Sequence, residues 1–177
     1  MDITMGKPEK MRDWIQIQRL YREAFPGAER KPFSIIRRMY RQGRADVWCF
    51  FRAGKYVGFA ATVNGNGLIL LDYLAVSRKY RGMGVGSEAL VLLMREYAAQ
   101  GVFVEIESTR SCGVEQLRRK RFYLSAGMKE LGVNARVFGV EMELLGIRCA
   151  LDFESYRDFY RNHYSRWAAE HLEVSKL

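Results

Sequence analysis

The chain has 177 residues, 49% hydrophobic and 28% charged, which suits one soluble globular domain with a sizeable core. Its 29 Lys and Arg exceed its 20 Asp and Glu, a formal charge of +9 that favours a polyanionic ligand. No apolar run reaches the ~18 residues of a membrane span, MDITMGKPEK lacks a signal-peptide core, and Cys49, Cys112 and Cys149 form no CxxC pair; a cytoplasmic protein without disulfides or metal is expected.

In chain order, residues 9–25 are predicted to be helical. Trp14, Ile17, Leu20, Tyr21 and Ala24 recur at helical spacing, and Pro26-Gly27 ends the run. A short second helix over 32–42 places Ile35, Ile36, Met39 and Tyr40 inward and Arg37, Arg38 and Arg41 outward. Strands at 46–52 and 55–63 meet at Ala53-Gly54 as a hairpin. The run Asn64-Gly65-Asn66-Gly67 makes a second turn into LILLDYLAV (68–76), the third strand. A helix over 84–100, a strand over 102–108 and a helix at about 114–125 follow, then an antiparallel pair at 128–133 and 137–145. Asp152 is placed to N-cap a final helix, 153–171, with Phe153, Tyr156, Phe159, Tyr160 and Trp167 on or near its buried side. The order predicts an α/β fold with a mixed sheet and one parallel crossover.

The chemistry concentrates at Arg81-Gly82-Met83-Gly84-Val85-Gly86, between the third strand and the third helix. The first helical N–H groups lack intrahelical acceptors, and the macrodipole adds positive character at the same end. Glycines there let a diphosphate approach the backbone, and Arg78 and Lys79 add charge. Gly84-x-Gly86-x-x-Ala89 formally fits a dinucleotide fingerprint, with Glu105 or Glu107 about 20 residues on. That fingerprint wants its first glycine directly after the strand, whereas Ser77 to Arg81 intervene.

The pattern [Q/R]-x-x-G-x-[G/A] fits without strain, with Arg81, Gly84 and Gly86 in its fixed positions. This resembles the acetyl-CoA signature of the GNAT superfamily of N-acetyltransferases. LDYLAVSRKYRGMGVGSEAL (71–90), VFVEIES (102–108) and RFYLSAGM (121–128) resemble three ordered stretches of that family, and AFPGAERKPF (24–33) is similar to the substrate-side segment of a bacterial small-molecule subgroup. The resemblance implies a mainly antiparallel mixed sheet with a splayed parallel strand pair, flanked by helices. Residues 1–150 would form that core, with an extra C-terminal helix within 151–177 packed on the same domain.

It further implies direct transfer of an acetyl group from acetyl-CoA to an amine, more readily of a small molecule than of a protein. Cofactor contacts fall to Arg81, Gly82, Met83, Gly84, Val85, Gly86 and Ser87 at the diphosphate. Main-chain N–H groups of Leu74 and Val76 fall to the pantetheine and the acetyl carbonyl; the side chains of both are core on either view. Tyr123 takes the family's position for protonating the departing thiolate, though a core tyrosine is the plain alternative. Three acids are candidate bases, in the order Glu105, Asp72, Glu107. Residues 70, 72, 74 and 76 share a strand face, as do Glu105 and Glu107. One or more of them could instead pair with the basic cluster at 118–121, which could itself meet a CoA phosphate or form a solvated face.

Gln116, Arg119 and Met128 depart from the family's usual residues. Phe25, Glu29, Arg30 and Phe33 either shape the acceptor pocket or form a plain loop, and His163 and His171 read as packing or surface residues. The basic charge also suits nucleic acid, but no recognition-helix, zinc-finger or RNP-type motif accompanies it, so neither nucleic acid nor a membrane is the expected partner, and a homodimer is allowed. A catalytically silent acyl-CoA-binding module, and acetyl transfer to an RNA-linked or protein amine, are the rival functions.

Overall fold

The computed structural model describes residues 2–27, 30–65, 67–108 and 113–175. Among them lie β1 (Ile3–Gly6), α1 (Met11–Ala24), α2 (Phe33–Arg41), β2 (Ala45–Arg52), β3 (Lys55–Asn64) and β4 (Leu68–Val76). After a 3-10 turn at Arg78–Tyr80 come α3 (Val85–Glu96), β5 (Gly101–Glu107), α4 (Val114–Ser125), β6 (Lys129–Val137) and β7 (Val140–Ile147). The chain then forms α5 (Phe153–His163), α6 (Arg166–Glu170) and β8 (Leu172–Val174).

The strands are hydrogen-bonded in the order β1-β2-β3-β4-β5-β7-β6-β8. β4 and β5 form the parallel pair, with Leu68, Ile69 and Leu70 opposite Gly101, Val102 and Phe103. A parallel neighbour demands a crossover, and α3 makes it. The mixed, mainly antiparallel sheet with flanking helices is thus the fold that the sequence predicts.

The chain divides into two compact units, Met1–Val63 with Leu71–Glu96, and Asn64–Leu70 with Tyr97–Leu177. In the first, Ile17, Leu20 and Tyr21 of α1 and Ile36 of α2 pack with Val47, Cys49, Phe59, Ala61, Tyr73 and Ala75. The alternation along β4 is visible here: Leu71, Tyr73 and Ala75 are buried, while Asp72, Leu74 and Val76 are half-buried. In the second unit, Phe103 of β5 meets Tyr156 and Phe159 of α5 with ring centroids 6.2 and 5.1 Å apart. Gly65 has no room for a side chain, since a Cβ there would lie 2.4 Å from the Phe159 ring.

Three elements differ from expectation. β1 pairs antiparallel with β2, Ile3 opposite Arg52, although its four residues carry too little pattern to announce a strand. The expected helix over 153–171 breaks at Tyr164, where ψ is −78°, and restarts when the Ser165 side chain accepts from Ala168 N–H. Trp167 consequently lies 61% exposed rather than on a buried side. The last residues leave the helix altogether, and β8 pairs with β6. Asp152 does cap α5, accepting from Ser155 N–H at 2.8 Å, and hydrogen bonding by the Ser155 side chain first, then by that N–H, holds its carboxyl below the usual range. Among the described residues, no helix is long and apolar enough to cross a membrane.

Candidate active site

In the first unit, the segment after β4 is shaped by two glycines in the left-handed region, Gly82 at φ +75° and Gly84 at φ +78°. A Cβ on either would meet no atom within 4 Å. They are therefore required by backbone conformation, with open space outside them, rather than by packing. The first helical bond of α3 runs from Glu88 N–H to Gly84 C=O (3.0 Å), so the N–H groups of Val85, Gly86 and Ser87 have no acceptor within the helix. Val85 buries its side chain in the core and contributes only main chain, whereas Arg81, Gly82, Met83, Gly84 and Ser87 are exposed. This cradle fits the diphosphate of a coenzyme A: unpaired donors, no steric cover and adjacent positive charge.

Strand β4 adds a second set of donors. Ser77 N–H donates to Val57 C=O on β3 at 2.8 Å. Main-chain groups of successive strand residues alternate between the two edges, so Leu74 and Val76 point theirs away from β3. Arg81 Nε reports the same direction by donating to Val76 C=O at 3.0 Å. One side chain thus ties the strand end to the glycine-rich turn.

Asp72, one of the three strand acids, is held by Lys31. The Lys31 ammonium lies 2.8 Å from Asp72 Oδ1 and 2.9 Å from Oδ2. The Asp72 side chain is 10% exposed, so the ion pair replaces most of its hydration. Phe25 and Phe33 pack against the same core as Tyr21 and Tyr73, while Glu29 lies outside the described residues.

In the second unit, Glu105 accepts from two hydroxyls of α5. Tyr156 donates to Oε1 at 2.7 Å, and Tyr160 contacts Oε1 and Oε2 at 2.8 and 3.0 Å. Glu107 accepts from the Gln116 amide of α4 at 2.8 Å. In the basic cluster, Lys120 pairs with Glu143 at 2.5 Å and Glu130 at 3.1 Å, while Arg118, Arg119 and Arg121 are exposed. Tyr123, on α4, is 9% exposed, with its ring against Phe122 at 5.0 Å. Burial pushes its phenol up to about 12, against an opposing pull from Arg119. The His163 ring lies tilted against Phe159 with centroids 4.8 Å apart, whereas His171, its Nδ1 2.8 Å from Trp167 C=O, is exposed, so the first is a packing residue and the second a surface one.

Lys31, Gln116, Tyr156 and Tyr160 are the partners of the candidate acids that the sequence does not announce as such. Gln116 stands out there only as a family departure, and the two tyrosines only as the apolar side of a helix. Among the described residues, no cluster of His, Cys, Asp and Glu could hold a metal.

The Acetyltransferase (GNAT) family model matches residues 14–128, and the chain belongs to this family. Solved structures share its fold at low identity. A GNAT-family protein from Bacteroides thetaiotaomicron is 18% identical with a TM-score of 0.76, covering 96% of this chain and 99% of that one. The ribosomal-protein-S18-alanine N-acetyltransferase from Escherichia coli is 16% identical, at TM-score 0.60, covering 85% and 96%. The spermidine N-acetyltransferase from Vibrio cholerae, in complex with CoA and spermine, is 12% identical, at TM-score 0.64, covering 82% and 95%. No curated protein sequence matches the chain.

Proposed function

We propose that this protein is a cytoplasmic N-acetyltransferase that moves an acetyl group from acetyl-CoA to the amine of a small molecule, by direct transfer in a ternary complex. One observation carries this above the others: the open cradle at Gly82 and Gly84, continuous with the unpaired N–H groups at the start of α3. A family relative in structure that holds CoA and spermine supports both the donor and a small polyamine-like acceptor.

Acetyl-CoA supplies the activated thioester. Main-chain donors from Gly82 to Ser87, including Met83, Val85 and Gly86, would hold its diphosphate, with Arg81 as charged partner. The Leu74 and Val76 N–H groups would hold the pantetheine and polarise the thioester carbonyl. Tyr123, kept protonated by burial, would present its O–H to the departing sulfur. Glu105 is the preferred proton acceptor for the amine, and Asp72, paired with Lys31, follows it. Glu107, bonded to Gln116, comes after them.

The test is CoA release from acetyl-CoA across polyamines, aminoglycosides, amino acids, short peptides and aminoacyl-RNA, with thermal shifts by CoA and NAD alongside. Turnover of a small cationic amine and stabilisation by CoA are expected. Turnover confined to peptides or RNA would reassign the acceptor, and stabilisation by NAD alone would overturn the proposal.

A further inference from the structure

The matched family segment ends at residue 128, yet the hydrogen bonds described above for Glu105 come from α5, beyond it. Tyr156 and Tyr160 stand one helical turn apart, so their side chains emerge on one face. Both rings are essentially inaccessible, 0% and 1% exposed, and they contact each other at 5.3 Å. Neither hydroxyl can swing away without dragging a packed ring, so the carboxylate is gripped by rigid donors. The chemistry of the donors matters equally. A phenol O–H orients a carboxylate through a charge-assisted hydrogen bond, and here two of them meet the same group.

We propose that Tyr156 and Tyr160 are positioning residues that fix the Glu105 carboxylate for its encounter with the acceptor amine, making α5 a working part of the acyl transfer machinery. This rests on Glu105 being the proton acceptor. Packing alone would call for phenylalanine at 156 and 160, as at the neighbouring Phe159; two hydroxyls converging on one strand carboxylate serve something beyond core volume.

The test is a double-mutant cycle on the full chain, measured with the amine that turns over fastest in the panel. Tyr160→Phe keeps the ring and should lower kcat about 10- to 100-fold, with the CoA thermal shift intact. In a Glu105→Gln background, the same change should leave kcat unaltered, because the tyrosine acts only through the carboxylate. Equal losses in both backgrounds, or no loss in either, would overturn the proposal. Tyr156→Phe provides the second variant should Tyr160→Phe fold poorly. A separate readout needs no turnover: with ¹³C-labelled glutamate, the carboxyl resonance that vanishes in Glu105→Gln should move in each Phe variant. An unmoved resonance also overturns the proposal. Native kcat in Glu105→Gln would instead remove Glu105 as proton acceptor, a failure of the parent reading that the cycle separates from this one.

Discussion

Lys31 is fastened to Asp72 and its surroundings through three of its own groups. Its ammonium chelates both carboxylate oxygens, its N–H donates to Tyr73 Oη at 3.3 Å, and its C=O accepts from Tyr21 Oη at 2.9 Å. The α1–α2 connection is thereby locked onto β4 from both strand faces, through Asp72 on the face that carries Leu74 and Val76 and through Tyr73 on the other.

Lys31→Met should therefore destabilise the protein. It retains the side-chain stem and both main-chain bonds but leaves a nearly buried carboxylate without its counter-ion. A fully buried pair broken this way costs about 3–5 kcal/mol; with Lys31 23% exposed, water screens part of it and about 1–3 kcal/mol is expected. Adding Asp72→Asn should recover part of the loss. Urea denaturation midpoints at neutral pH would check both, and an unchanged midpoint in Lys31→Met would show that solvent carries the charge.

Gly84→Val should abolish stabilisation by CoA. Since a Cβ there meets nothing, no clash is expected in the free protein; the cost is backbone strain at φ +78°, roughly 1–2 kcal/mol. The variant should fold with a slightly lower Tm and show no CoA-dependent rise, whereas the native protein should gain Tm with ligand concentration. A native-like CoA response would take the cradle out of the diphosphate site.

Tyr123→Phe isolates a single proton. The ring and its contact with Phe122 survive, so CoA affinity should hold while kcat falls by roughly 10- to 1,000-fold. Steady-state kinetics with the best amine, alongside CoA titration, would separate the two quantities. Undiminished kcat would mean that another group or solvent protonates the thiolate.

Alkaline pH should weaken the fold for a related reason. Burial pushes the Cys49 thiol up from 9.0 to about 12 and the Tyr123 phenol up from 10.0 to about 12. It pushes Tyr56 and Tyr73 upward as well. Between these values the unfolded chain has released protons that the folded one still binds, so stability falls as pH rises. The contribution is complete below about pH 9 and is lost progressively toward pH 12. Denaturation midpoints from pH 7 to 11 should decline above 9, less steeply above 10 in Tyr123→Phe.

Much of this architecture is legible in the sequence because its signals are local. Ala53-Gly54 turns the β2–β3 hairpin with both residues at positive φ, and Asp152 caps α5. The glycine-rich turn likewise declares itself by composition, and the structure places Gly82 and Gly84 in the left-handed conformation that their residue type permits. What escapes notice is either too short or too distant. β1 and β8 are strands of four and three residues, specified by their sheet partners rather than by their own alternation. The break at Tyr164 is hidden because aromatic residues continue on both sides of it. The partners of the acids are non-local: Lys31 is 41 residues from Asp72, and no spacing rule links them.

The grip on Glu105 has a consequence for biosynthesis. Tyr156 and Tyr160 follow it by 51 and 55 residues, so β5 is translated well before the helix that will hold its carboxylate. A ribosome delivers the glycine-rich turn first, then the acid, and α5 only afterwards. On the proposed roles of the glycine-rich turn and Glu105, a nascent chain able to bind the thioester would still lack the set carboxylate, and acetyl transfer would await the emergence and docking of α5.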